Sequence, residues 1–226
     1  MVDMKAKLLV TIVDEDRERK TTDIYRKTNI PFKFVIHGRG SASSSILNYF
    51  GLSEKQKSLV VGLVNEDNEL QILNLLNEKL NFNEAGNGIT ISIPISSSNR
   101  YVYERLVSES ILEGEKINMV KKQKYHLIFT IIQEGFFEKV MNVAKSHGAS
   151  GGTLVNGRGL SNKEVTKFLG FAIEPEKDIV LMVVDEKHKN SIMGAITDNF
   201  GIKTAGRGIC FSVPVDNAIG LEGFID

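Results

Sequence analysis

The sequence predicts an α+β chain built from two tandem βαββαβ units. Three observations predict it. The chain repeats itself, the apolar residues switch between two periods in a fixed order, and two glycine motifs recur at matching places in both copies.

The repeat emerges when the 226-residue chain is slid against itself. At an offset of 119, LLVTI (8–12) falls on LIFTI (127–131). His37-Gly38-Arg39-Gly40 falls on Asn156-Gly157-Arg158-Gly159, and Tyr49-Phe50-Gly51 on Phe168-Leu169-Gly170. One inserted residue then moves the offset to 120, where AGNGITISIPI (85–95) meets AGRGICFSVPV (205–215). Residues 8–51 give 9 identities in 44 pairs and residues 57–95 give 11 in 39, together 20 of 83. Unrelated chains of ordinary composition would match at roughly 6%. A period this long means two domains, 1–97 and 125–226, with a partly helical linker at 98–124. Tyr101, Arg105, Leu106, Ile111 and Leu112 give the linker one greasy side.

The second copy shows the elements most clearly. LIFTII (127–132) is a short, β-branched apolar run and reads as a buried strand. Phe136, Phe137, Val140, Met141 and Ala144 then form the stripe of an amphipathic helix, stopped at His147-Gly148. Residues 152–156 are a second strand, ending at Gly157-Arg158-Gly159, and 178–184 a third. Ile192, Ala195, Ile196 and Phe200 phase a second helix, ended by Gly201. The last strand, 209–215, carries its apolar residues on odd positions, which places Cys210 opposite the core. This order is the ferredoxin-like one: a four-stranded antiparallel sheet with both helices on one face. The other face needs a cover, from the partner domain or another subunit.

The first copy follows the same plan with one exception. Positions aligned with its first helical stripe are Arg17, Glu18, Thr21, Thr22 and Tyr25, mostly polar, so this helix either shifts or lies exposed. The second helix (Ile72, Leu75, Leu76, Leu80) and the last strand (Ile89, Ile91, Ile93, Ile95) are intact.

Lys plus Arg number 28 and Asp plus Glu 28, so the net charge is zero. Such a chain lacks the basic footprint of a nucleic-acid binder or of a polybasic membrane face. No apolar run is long enough to span a bilayer, and no signal-peptide region is visible. With one cysteine, the expectation is a cytoplasmic protein. The four histidines are scattered with no metal-binding spacing, and no nucleophile–base pair stands out, so the chain reads as a non-enzyme.

Chemistry concentrates in the glycine motifs. Gly38-Arg39-Gly40 and Gly157-Arg158-Gly159 follow the second strands; Gly86-x-Gly88 and Gly206-Arg207-Gly208 precede the last ones. Glycines there permit positive φ and allow successive N–H groups to form an anion-binding concavity, beside which an arginine holds phosphate. The same glycines also read as plain turns. After Gly159, Ser161 to Glu164 form a possible capping box and Val165, Phe168 and Leu169 fall in helical phase. The expectation is a short amphipathic helix there, as in the phase of Ile46, Tyr49 and Phe50.

The run Gly201 to Val215 (GIKTAGRGICFSVPV), with Asp216, Ala218 and Ile219 after it, resembles the nitrogen-regulatory PII signalling proteins. Their pattern there is roughly TGKxGDGKIFVxPVExAIxI. The resemblance covers residues 127–220 well and 8–95 more faintly. It implies a trimeric, non-enzymatic sensor that binds an adenine nucleotide (ATP, ADP or AMP) in clefts between subunits. Gly206 to Gly208 would cradle the phosphates, with the region of Arg158 contributing. Many members sense 2-oxoglutarate with magnesium and regulate a transporter or an enzyme. This chain departs from the pattern in four places. Ile209 and Ile89 replace the lysine after the second glycine, Arg207 and Asn87 replace the aspartate, no arginine follows the last strand, and the long loop is short. The reading is therefore a regulatory protein with a small anionic ligand and a homo-oligomeric, preferably trimeric, assembly. An amino-acid-sensing domain pair and a structural oligomer of the same fold remain as alternatives.

Overall fold

The computed structural model describes residues 6–41, 55–84, 86–98, 100–108, 125–158, 166–168, 171–173 and 176–221. They form two compact units. Each is a ferredoxin-like βαββαβ unit.

The first unit contains β1 (Ala6–Asp14), a 3-10 turn (Glu15–Arg17), α1 (Glu18–Lys27), most of β2 (Phe32–Gly40), most of β3 (Lys55–Asn65), α2 (Glu66–Leu80) and β4 (Ile89–Ile95). Its sheet runs β2-β3-β1-β4. The central β1 pairs antiparallel on both sides, Val10 lying opposite Val61 and Ile91. Leu9, Val13, Val60 and Val64 face the helices, where Ile24, Tyr25, Ile72, Leu76 and Leu80 complete the core. Asn65 starts α2 by accepting from the Asp67 N–H at 3.0 Å, and Asn81 ends it in the left-handed region at φ 54°.

The first helix neither shifts nor lies exposed, although its stripe is polar. Thr21 and Tyr25 are fully buried at the positions the repeat assigns to the stripe, with Ile24 beside them. Burial is tolerable because each polar atom has a partner. Thr21 Oγ1 donates to Arg17 O at 3.0 Å. The Tyr25 hydroxyl lies 2.8 Å from Thr11 Oγ1 and donates to Val60 O at 3.2 Å. Burial pushes this phenol's pKa far above the ordinary value, so it stays neutral.

The second unit contains most of β5 (Tyr125–Gln133), α4 (Phe137–Ser146), β6 (Thr153–Arg158), β9 (Glu176–Asp185), α5 (Glu186–Phe200) and most of β10 (Ile209–Val215), in sheet order β10-β5-β9-β6. Ile128, Ile132, Val140, Met141, Leu154, Val180, Met182, Ile192 and Ile196 form its core. Shifting β1 and α1 by 119, and α2 and β4 by 120, lands them on the bounds of β5, α4, α5 and β10.

The units are not the consecutive stretches 1–97 and 125–226. Of the described residues, the second unit takes Gly38 to Ser41 and Lys55, and the first takes those from Pro214 onward. The cause is strand pairing. Arg39 and Gly40, at the end of β2, lie antiparallel to Leu154 and Thr153. The short β11 (Asn217–Ile219) pairs with β4, Asn217 lying opposite Ser92. Within the linker, α3 (Arg100–Ser108) is helical and buries Leu106, while Tyr101 is exposed and meets Phe32 edge-on with ring centroids 6.0 Å apart. Ile111 and Leu112 lie outside the described residues.

Two further expectations need correction. The segment after Gly159 forms no helix at Thr166–Phe168; it pairs as β7 with β8 (Phe171–Ile173) in a two-stranded antiparallel sheet. Thr166, Phe168, Phe171 and Ile173 are β-formers flanking a glycine, and hairpin pairing outweighs the helical spacing. The rest of that prediction, including Ser161 to Val165, Leu169 and the matching Ile46 to Phe50, lies outside the described residues. In β10 the phase is the reverse of the expected one. Ile209 and Phe211 are 50% and 43% exposed, and Cys210 packs on the core. Alternation picks the more apolar face, whereas the helices of this unit lie against the other, where Cys210 packs.

Candidate functional site

The two Gly-Arg-Gly motifs are strand segments. Gly38 and Gly157 have no positive φ; what they require is room. A Cβ on Gly38 would stand 2.5 Å from Leu154 O, and one on Gly157 would stand 2.8 Å from Ile179 Cδ1. Arg39 lies opposite Leu154, and Arg158 lies opposite Glu176 at the end of β6. Arg158 is largely exposed, with Nε 3.8 Å from Glu176 Oε1, a loose surface pair. Gly159 lies outside the described residues.

The Gly-x-Gly loops differ between units. In the first, the glycines carry the turn: Gly86 has φ +89° and Gly88 +118°. A Cβ on Gly88 would also meet Ile12 O at 2.5 Å. The loop is closed by a guanidinium from its own unit. Arg17 donates to Leu80 O at 3.0 Å and, through Nη2, to Asn87 Oδ1 at 2.6 Å. The first motif thus holds a cation already, and its Asn87 is engaged further by Asn81 O at 2.8 Å.

In the second unit the position aligned with Arg17 is Phe136, which packs edge-on against Phe200 with ring centroids 6.2 Å apart. Here the left-handed residue is Arg207, at φ 44°. Gly206 and Gly208 serve contact: a Cβ on Gly208 would lie 2.6 Å from both Ile132 Cγ2 and Phe200 O. The expected amide concavity is already spent internally. Gly206 N donates to Thr204 Oγ1 (3.2 Å), Arg207 N to Thr204 O (3.2 Å) and Gly208 N to Phe200 O (2.7 Å). An anion at this loop would meet the exposed Arg207 side chain rather than a backbone cradle.

Both units also hold a polar cluster that sequence reading missed. In the first, the buried Lys7 ammonium donates to Asp216, and Glu69, 1% exposed, accepts from Ser92 Oγ and from Asn217 Nδ2 (2.6 Å). Asp216 N donates to Ser92 O at 2.9 Å and Asn217 N to Ser92 Oγ at 3.2 Å. The repeat offsets place His126 on Lys7, Lys189 on Glu69 and Ser212 on Ser92. His126 Nε2 contacts Glu186 Oε2, and Lys189 Nζ donates to Glu186 Oε1 at 2.8 Å. Lys189, and His126 after it, holds the Glu186 carboxyl below its usual pKa. A lysine inside the apolar run AKLLVTI, and a glutamate one turn before Ile72-Leu73, were the available signals.

No family model matches the chain, and no curated protein matches it. Among solved structures it is similar to Arabidopsis thaliana PII bound to citrate, at 19% identity over 42% of this chain and 78% of that one, with a TM-score of 0.32. It is similar also to the B. subtilis GlnK–ATP complex, at 13% identity, 44% and 97% coverage and a TM-score of 0.34. A third is CPII bound to ADP, AMP and acetate from Thiomonas intermedia K12, at 17% identity, 43% and 93% coverage and a TM-score of 0.31. No helix among the described residues is long and apolar enough to cross a membrane.

Proposed function

We propose that the protein is a non-enzymatic, PII-like regulator whose second unit binds a small anionic ligand, with an adenine nucleotide as first choice. One observation supports the reading: the second unit contains Arg39, Arg158 and Arg207, one arginine from each of three glycine motifs, with Arg158 and Arg207 exposed. The first unit's Gly-x-Gly loop has its own Arg17 in place and serves as scaffold. The ligand class comes from the resemblance of residues 201–219 to the PII pattern. So do the homotrimeric assembly, the cytoplasmic setting and the regulated transporter or enzyme.

The test is a melting series with ATP, ADP, AMP, 2-oxoglutarate with and without magnesium, citrate and amino acids, with light scattering for mass. A ligand at a hundred times its Kd stabilises by about 2.7 kcal/mol. The expected result is a shift with at least one adenine nucleotide, reduced by Arg158→Ala and by Arg207→Ala. A shift only with amino acids, or no shift at all, overturns the reading.

A further inference from the structure

The matched polar clusters have different occupants. In the first unit, β4 has strand neighbours on both sides: β1 and the added β11. That added segment brings Asp216 to Lys7 and Asn217 to Glu69, and it leaves Thr90 and Ser92 fully buried. In the second unit, β10 ends the strand order, with β5 as its one strand neighbour among the described residues. Ser212 and Cys210, the counterparts of Ser92 and Thr90, are only partly buried. The strand Ile209–Val215 carries no charge and no glycine that would deter another strand, and its one proline lies near the end.

We propose that the outer edge of β10, flanked by His126 and Lys189, accepts an extended acidic segment of a partner protein, which adds to this sheet as β11 adds to β4. The equivalence supplies the backbone register: the incoming chain would lie opposite Ser212, Phe211 and Cys210, where β11 lies opposite Ser92, Ile91 and Thr90. The side chains supply the charge. Lys7 donates to Asp216, and His126 in its place asks again for an acceptor. Glu69 accepts from the Asn217 amide, whereas Lys189 donates, so the residue there must accept as well. Two successive acceptors on an extended strand describe an acidic segment. Glu186 holds both side chains now, but its own side chain is 57% exposed and can turn to solvent when another carboxylate arrives. Arg207 of the proposed ligand site stands two residues before this edge, so the charge preference is read at Lys189.

The test uses the full chain and two labelled ten-residue peptides, with Val-Asp-Asp-Ala-Ile or Val-Lys-Lys-Ala-Ile at the centre. Fluorescence anisotropy should show the acidic peptide binding at least tenfold tighter. Hydrogen exchange should show new protection at residues 210–213. Lys189→Glu should reverse the preference, and the milder Lys189→Gln should weaken the acidic peptide without favouring the basic one, both with an unchanged melting curve. Equal affinity for both peptides, no binding of either at millimolar concentration, or protection elsewhere overturns the proposal. Concentration-dependent self-association that protects 210–213 without peptide also overturns it, because a second copy would then hold the edge.

Discussion

β4 and β10 share isoleucine, serine and proline at the same three positions, yet they meet different fates. In β4, Thr90, Ile91 and Ser92 are all fully buried. In β10, Phe211 replaces Ile91 and is 43% exposed, its ring stacked at 5.0 Å on Phe129. The same contrast extends across the sheets. On the face away from the helices, Val10, Ile12, Leu59 and Val61 are buried, whereas their counterparts Phe129, Ile131, Ile179 and Leu181 are only half-buried. A strand's pattern says which side chains share a face; its neighbours decide how dry that face is.

Breaking the buried pair should have the largest effect. Asp216→Ala leaves the Lys7 ammonium buried without its carboxylate and should cost about 3–4 kcal/mol in a urea melt. The matched change in the second unit, Glu186→Ala, should be barely measurable, because that carboxylate is exposed. The next comparison is at the paired strand positions. Ile91→Ala should cost about 3 kcal/mol by cavity formation, and Phe211→Ala about 1 kcal/mol, although phenylalanine is the larger side chain. Equal losses would mean that Phe211 is covered in solution. The smallest effect concerns the loop. Arg207→Gly relieves a left-handed arginine and should gain about 0.5 kcal/mol after the entropy of the unfolded chain is counted. The same variant should lose affinity for an anion, so stability and binding would move in opposite directions.

Much of the fold was legible. Helix and strand periods, read together with the repeat, predict twelve elements in order, and α2, β4, α5 and β10 keep the phase spacing of the offset. The polar first helix defeated pattern reading because Tyr25 and Thr21 are buried through hydrogen bonds that no periodicity records. Pattern reading fails on β10 because its more apolar face, with Ile209 and Phe211, is the exposed one. Site reading was weaker. Spacing cannot distinguish a glycine kept for positive φ, as Gly88 is, from one kept for clearance, as Gly38 is. Nor can it show that the amides of 206–208 already have acceptors. Lys7 with Asp216 was out of reach, since 209 positions separate the partners.

The placement of residues 214–221 has a consequence for anyone dividing this chain. A fragment stopped after Ile95 contains every helix and strand of its own repeat, but it has lost the strand that pairs with β4, the carboxylate for Lys7 and the amide for Glu69. Such a fragment would expose an isoleucine-rich edge beside an uncompensated buried charge, and so would tend to aggregate when expressed alone. Residues 214–221 complete the first unit, which therefore reaches its final form only after the second repeat and this segment have been synthesised.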